Sequence, residues 1–252
     1  MSEHADANRA YWNGMASDWV ERGERAWAAA SPYWGVFEIP NAELPLLPDD
    51  LSGLAAVELG CGTGYGSAWM ARRGATVLGI DISEEQLATA HRLAAQYPEL
   101  DVTLQHGDAE AVPRPDASFD LVLSEYGAAI WCDPEVWLRE AHRLLKPGGR
   151  LVFLGNHPLC VVCYRPDGGD VEPVLHRSYL GLRCVDWRHV EIDPGGMEFN
   201  RPLSDWLALF RDVGFELVDY REVGAPDGAG DSPRDQWARS FPLEQVFWLR
   251  KR

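Results

Sequence analysis

The stretch Ala55-Ala56-Val57-Glu58-Leu59 runs directly into Gly60-Cys61-Gly62-Thr63-Gly64-Tyr65-Gly66, and no other feature limits the possible folds as much. A short run of small and branched apolar residues reads as a buried strand. Glycine at every second position beyond it marks a backbone that turns sharply, with no Cβ to keep a ligand off the main chain. A helical pattern then spans Gly64 to Arg73. Strand, glycine turn and helix in this order open a nucleotide-binding α/β unit.

The alternation continues. Thr76 to Ile80 reads as a strand and Glu84 to Gln96 as a helix with Ser83 as its N-cap. Val102 to Gln105 and Phe119 to Leu123 are strands, and Glu135 to Leu145 is a helix. Lys146-Pro147-Gly148-Gly149 stops that helix and turns the chain into a fifth strand, Arg150 to Gly155. Leu203 to Asp212 is a helix ending at Gly214, and Phe215 to Val223 and Gln245 to Leu249 close the chain as strands. The loop between these last two has little helical character, so they are expected to run antiparallel. The pattern predicts a doubly wound, Rossmann-like α/β sheet of about seven strands, mostly parallel with an antiparallel last strand.

Two regions fall outside the alternation. Ala5 to Arg25 is rich in helix formers, with Tyr11, Trp12, Met15, Trp19 and Val20 on one apolar face, and Ser31 to Pro48 is Pro-broken with a short helix expected at Ala42 to Leu47. His157 to Pro202 is long and rich in Pro and Gly, and a connection of that length inside a domain is usually functional. The expected organisation is one domain over residues 1–252, with 1–48 as an N-terminal helical cap and 157–202 as an insertion forming a substrate-side cap.

Charge and cysteine usage narrow the partners. A formal net charge of -16 repels phosphate backbones and anionic lipid, which disfavours nucleic acid and membrane. No apolar run approaches membrane-spanning length, and the polar stretch Met1 to Asn8 lacks the apolar core of a signal peptide. Five cysteines, an odd number in a chain of this size, suit reduced thiols in a cytoplasm. Nothing indicates an oligomeric state.

The glycine spacing separates two nucleotide-binding readings. A dinucleotide fingerprint needs G-x-G-x-x-G, and its third glycine falls on Tyr65, Ser67 or Trp69 in the available registers. The stretch from Glu58 to Gly64 instead resembles E/D-x-G-x-G-x-G, the first motif of class I S-adenosylmethionine-dependent methyltransferases of the type 11, UbiE-like small-molecule family. The resemblance continues in order through Gly79-Ile80-Asp81-Ile82-Ser83, Gly107-Asp108-Ala109-Glu110, Ser118-Phe119-Asp120-Leu121-Val122 and Leu144-Leu145-Lys146-Pro147-Gly148-Gly149.

This resemblance implies S-adenosylmethionine as cofactor and a set of contacts to it. Asp81 would accept from the ribose hydroxyls, Ile82 would pack on the adenine and Gln86 would lie beside the ribose. Asp108 and the Ala109 amide would read the adenine edge. Gly60, Cys61 and Gly62 would let the methionine moiety pass close to the main chain, with the Cys61 thiol packed against the helix. The Ser124 carbonyl and Glu125 would face its ammonium group, with Glu58 behind them. Tyr11 and Trp19 on the N-terminal helix would close over the cofactor. Asp120 reads as a turn support rather than a ligand contact.

The implied reaction is in-line displacement of the sulfonium methyl by an O-, N- or C-nucleophile, so the protein mainly aligns the acceptor and excludes water. His157, just past the fifth strand, is the candidate general base, ahead of His176 and His189, and Tyr126 and Trp131 are placed to meet the acceptor. The aromatic content of the caps, including Tyr33, Trp34 and Phe37, suits an aromatic or lipophilic small molecule. Cys160 and Cys163 with nearby histidines fit no common zinc spacing, and no metal is expected. Two alternatives are an NAD-dependent oxidoreductase of Rossmann type and a non-catalytic S-adenosylmethionine-binding module.

Overall fold

In the computed structural model, which describes residues 2–252, the chain opens with α1 (Glu3–Met15), whose first turn is capped by the Ser2 hydroxyl. One turn of 3₁₀ helix (Ala16–Trp19) breaks the expected continuous helix before α2 (Val20–Ala28), and it sets the Trp19 ring 5.6 Å from Trp12. A hairpin of β1 (Tyr33–Trp34) and β2 (Ile39–Pro40) follows. The short helix expected at Ala42 to Leu47 does not form. The buried Asn41 side chain accepts from the Leu47 N–H and Trp34 Nε1 and donates to the Leu47 carbonyl, closing a loop in which Pro45 could not donate helically.

The doubly wound unit begins with β3 (Ala55–Leu59), α3 (Tyr65–Arg72), β4 (Thr76–Asp81), α4 (Glu84–Ala94) and β5 (Val102–His106). The chain then crosses back to the other side of β3 with β6 (Phe119–Glu125), α5 (Ala128–Trp131), α6 (Pro134–Leu144) and β7 (Leu145–Asn156). Next come α7 (Pro158–Cys163), the small antiparallel pair β8 (Cys184–Asp186) and β9 (Met197–Phe199), α8 (Leu203–Val213), β10 (Phe215–Val223), α9 (Pro233–Ala238) and β11 (Glu244–Lys251). The sheet order is β10-β11-β7-β6-β3-β4-β5; β11 is antiparallel to both neighbours and the other pairings are parallel. α9 packs against α7 and not on the sheet, so the chain returns beside β10 as its antiparallel partner.

One local expectation changes. Lys146 to Gly149 is spliced into β7 as an irregularity, the pairing jumping from Phe119↔Leu145 to Leu121↔Arg150, with Gly148 at φ 77°. Val161-Val162, an apolar pair without helical periodicity of its own, is a buried turn of α7 with Pro158 in its first turn.

Alternation along the strands divides the core. Leu151 and Phe153 of β7 join Trp137, Trp206, Phe210 and Phe247 on one face, while Val152 and Leu154 join Trp69 and Met70 on the other. Trp34, Leu46 and Leu47 belong to this second layer, so the later part of residues 1–48 packs on the sheet. Because winding reverses at β3, a crevice opens beyond the carboxyl ends of β3 and β6, where ligands of such sheets bind.

Candidate active site at the reversal of the sheet

The glycine turn after β3 is anchored by its own backbone: the Gly60 and Cys61 N–H groups both donate to the Ile80 carbonyl at 2.9 Å. Gly60 has φ 77°, and a Cβ there would stand 2.5 Å from Gly127 Cα, because the turns after β3 and β6 cross in contact. Gly62, at φ 52°, is different: a Cβ would meet only Gln86 Oε1, at 4.0 Å. One glycine admits a neighbouring loop; the other leaves open space toward the crevice.

Asp81, at the end of β4, lies beside this turn. Its Oδ2 accepts from Gly62 N–H at 2.7 Å and its Oδ1 from Ser83 N–H at 2.8 Å, leaving a lone pair on each oxygen. Burial raises its pKa against these two amides. Asp108 follows β5 and caps the next turn through Glu110 N–H at 2.8 Å. Gln86, on α4, is buried with Oε1 lacking any partner. Glu58 lies buried under α3, accepting from Ser67 Oγ at 2.6 Å, and burial pushes its pKa up to about 8. Glu125 ends β6, accepting from Gly35 N–H at 3.0 Å and from the Tyr65 hydroxyl.

These groups share one cavity, lined by Glu58, Gly60, Cys61, Gly62, Asp81, Ile82, Gln86, Asp108, Ala109, Glu125 and Tyr126. The roof comes from the N-terminal helices and α5. Trp12 packs edge-on to Trp19 and to Trp131, at 5.6 and 5.3 Å, and all three line the cavity. Asn8, 2% exposed, holds α1 down by donating to the Trp131 and Met197 carbonyls and accepting from Met197 N–H.

Three expected site residues lie elsewhere. Tyr11 lines a neighbouring cavity, on the far side of Trp131. Ser124, expected to contribute its carbonyl, is fully buried and absent from the cavity lining; its hydroxyl donates to the Leu59 carbonyl and accepts from Ala129 N–H, which ties β6 to β3. His157 is absent from the cavity lining and caps α7: Nδ1 accepts from Leu159 N–H and Nε2 pairs with Glu222, both at 3.1 Å. With one nitrogen taken by an amide and the other protonated toward a carboxylate, no lone pair remains for a substrate proton. Burial also lowers its pKa. His157 is therefore corrected from base to helix cap. His176 pairs with Glu172 and likewise lies outside the cavity, as does His189. Asp120 accepts from Ala55 N–H and Lys146 Nζ, supporting the strand junction.

Lining residues outside the motifs that the sequence singled out are His4, Ala5, Asn8, Gly127, Ala128 and Cys132. Gly127 had a readable signal, a glycine immediately past a strand; a Cβ there would sit 2.4 Å from the Leu59 carbonyl. Tyr126, one residue earlier, takes φ 51°, a strained value for a residue with a bulky side chain.

The donor set fits an adenosylmethionine. Its ribose, adenine and ammonium donors need carboxylate and carbonyl acceptors; Asp81, Asp108 and Glu125 line the cavity, and the unpartnered Gln86 Oε1 awaits a donor there. Comparison with known proteins agrees. The family described as "Methyltransferase domain" matches residues 57–153. A "Probable S-adenosylmethionine-dependent methyltransferase" of Mycolicibacterium smegmatis is 33% identical over 215 residues, covering 84% of this chain and 77% of its own. A "Ubiquinone biosynthesis O-methyltransferase" of Dinoroseobacter shibae is 39% identical over 191 residues, covering 68% of this chain and 74% of its own. The crystal structure of an S-adenosylmethionine-dependent methyltransferase from Mesorhizobium loti superposes with a TM-score of 0.67 at 28% identity, over 83% of this chain and 96% of that one. The oxidoreductase and non-catalytic alternatives are set aside, and the chain belongs to the S-adenosylmethionine-dependent methyltransferases.

Proposed function

We propose that this enzyme transfers the methyl group of S-adenosylmethionine to a small molecule with an aromatic or lipophilic body. The observation that carries the reading is a single cavity whose sheet side presents carboxylates and whose roof presents the Trp12, Trp19 and Trp131 rings. The cofactor supplies a methyl group already activated on a sulfonium. Asp81 binds the ribose with Gln86 beside it, Ile82, Asp108 and Ala109 hold the adenine, and the open face at Gly62 admits the methionine chain. Glu125, backed by Glu58, holds the ammonium. Residues 3–19 form a roof and 157–202 the acceptor side, together excluding water from the displacement. Tyr126 is a wall of the site; its hydroxyl is engaged by Glu244 at 2.8 Å and Asn156 at 3.2 Å, and burial lifts its pKa further from that of a base.

The name of the Dinoroseobacter relative, an O-methyltransferase of ubiquinone biosynthesis, supports an aromatic acceptor. The formal charge of -16 speaks against nucleic acid. Labelled-methyl transfer to a panel of catechols, hydroquinones and aromatic amines, run beside sugars, amino acids and RNA, tests the proposal. Label in at least one aromatic compound is expected; label confined to the polar compounds or to RNA overturns it.

A further inference from the structure

A second cavity lies beside the first, built largely from the 157–202 insertion. Trp131 lines both cavities, and Tyr11 of the second packs on Trp12 of the first with ring centroids 5.2 Å apart. A single layer of aromatic side chains therefore separates the two. The walls of the second are the rings of Tyr11, Trp131, Tyr164 and Trp187.

Its polar lining is of one sign. Glu198, 5% exposed, accepts from Asn156 Nδ2 at 2.8 Å and from Trp187 Nε1 at 2.9 Å. Both donors are neutral, and each oxygen keeps a further lone pair. Asp193 stands exposed at the edge of the cavity, and no Lys, Arg or His lines it. The nearby cation, Arg177, is not a lining residue: its guanidinium sits 4.8 Å over the Trp187 ring and donates to the Val161 carbonyl. That indole face already carries one cation.

A buried carboxylate among aromatic faces is a poor seat for an anion, which meets repulsion and no donor. It is a good seat for an ammonium, which gains a counter-charge and the negative faces of the rings while losing its water. We infer that this second cavity binds an organic ammonium, its positively charged nitrogen between the four rings and the carboxylates of Glu198 and Asp193. The inference stands apart from the proposed transfer reading, because the aromatic layer separates this cavity from the one lined by Asp81, Asp108 and Glu125.

Calorimetry on the full chain loaded with S-adenosylhomocysteine tests this with 2-phenylethylammonium, 2-phenylethanol and phenylacetate as probes. The ammonium is expected to bind at least tenfold more tightly than the alcohol, with no measurable binding of phenylacetate. Glu198→Gln, which keeps the shape, should remove most of that tenfold preference and leave affinity for the alcohol within about twofold. Asp193→Asn, on an exposed side chain that folding does not depend on, should weaken ammonium binding two- to fivefold. Equal or tighter binding of the alcohol or phenylacetate, insensitivity of the ammonium to both variants, or its competition with S-adenosylhomocysteine overturns the inference. Absence of S-adenosylhomocysteine binding would instead count against the cofactor-site assignment.

Discussion

The sheet side of the cofactor cavity is held by backbone, the roof by side chains. Around Gly60 and Asp81 the shape follows from amides: Gly60 and Cys61 donate to the Ile80 carbonyl, and Gly62 and Ser83 donate to the Asp81 carboxylate. Over the roof, α1 is tied by Asn8 to Trp131 and Met197, by Arg9 and Asn13 to Glu84, and by His4 to Glu110. The Arg9–Glu84 tie is partly exposed. Backbone anchoring survives most substitutions nearby, whereas a roof held by a few side chains opens when one is lost. On the proposed reading, the difference separates affinity from access: cofactor recognition falls to the backbone-held side and entry of ligand to the roof.

Each half can be broken alone. Asp81→Ala removes the proposed ribose acceptor and frees two amides, so affinity for S-adenosylhomocysteine should fall at least ~100-fold, close to 3 kcal/mol, by calorimetry. Secondary structure by circular dichroism should be unchanged. A loss under fivefold would mean that the sheet side does not carry recognition.

Asn8→Ala attacks the roof. Its three hydrogen bonds vanish, leaving the Trp131 and Met197 carbonyls and the Met197 amide unpaired. About 2 kcal/mol of stability should be lost, and amide exchange in α1 should quicken while that of β3 and β4 holds. Uniform acceleration across both halves would erase the distinction drawn here.

The join between the β1–β2 hairpin and the sheet has a pH dependence. Glu244 is buried, accepts from Val36 N–H and the Tyr126 hydroxyl, and burial pushes its pKa up to about 7. The folded state thus holds this proton more tightly than the unfolded chain. Its contribution is full below about pH 4.5 and is lost as the pH rises through 7. On the order of 1–2 kcal/mol of the decline in stability between pH 5 and 8 should disappear in Glu244→Gln, measured by urea unfolding at several pH values. The same slope in both proteins would refute the assignment.

The smallest effect is expected from His157→Ala. A helix cap is lost, costing about 1 kcal/mol in thermal stability, while methyl transfer to any acceptor identified stays within a few fold of the parent. A collapse in turnover with normal S-adenosylhomocysteine affinity would restore a role in the chemistry.

The errors made from sequence share one cause. His157 and Ser124 were placed at the carboxyl ends of strands, where ligands gather, and both lie there. What sequence position did not reveal was direction. His157 turns to cap α7 and meets Glu222 on β10, and Ser124, expected to offer its carbonyl, is fully buried behind the cavity lining. Asn8 and His4 were missed because their partners lie up to 189 residues away, and no local pattern distinguishes a polar residue on a helix that folds back from one facing water.

The sequence by itself determined the sheet side: apolar runs of strand length, glycines at Gly60 and Gly62, and acids at the strand ends Asp81 and Asp108. Those are local demands, since a turn needing positive φ accepts few residues and a strand buried on both faces accepts only apolar ones. Tertiary structure alone decided the rest: which rings roof the cavity, that Tyr11 faces a second one, and that Glu198 is buried there among aromatic walls. Such choices follow from packing between segments far apart in the chain, where several side-chain directions satisfy the same local pattern and only the assembled surfaces select one.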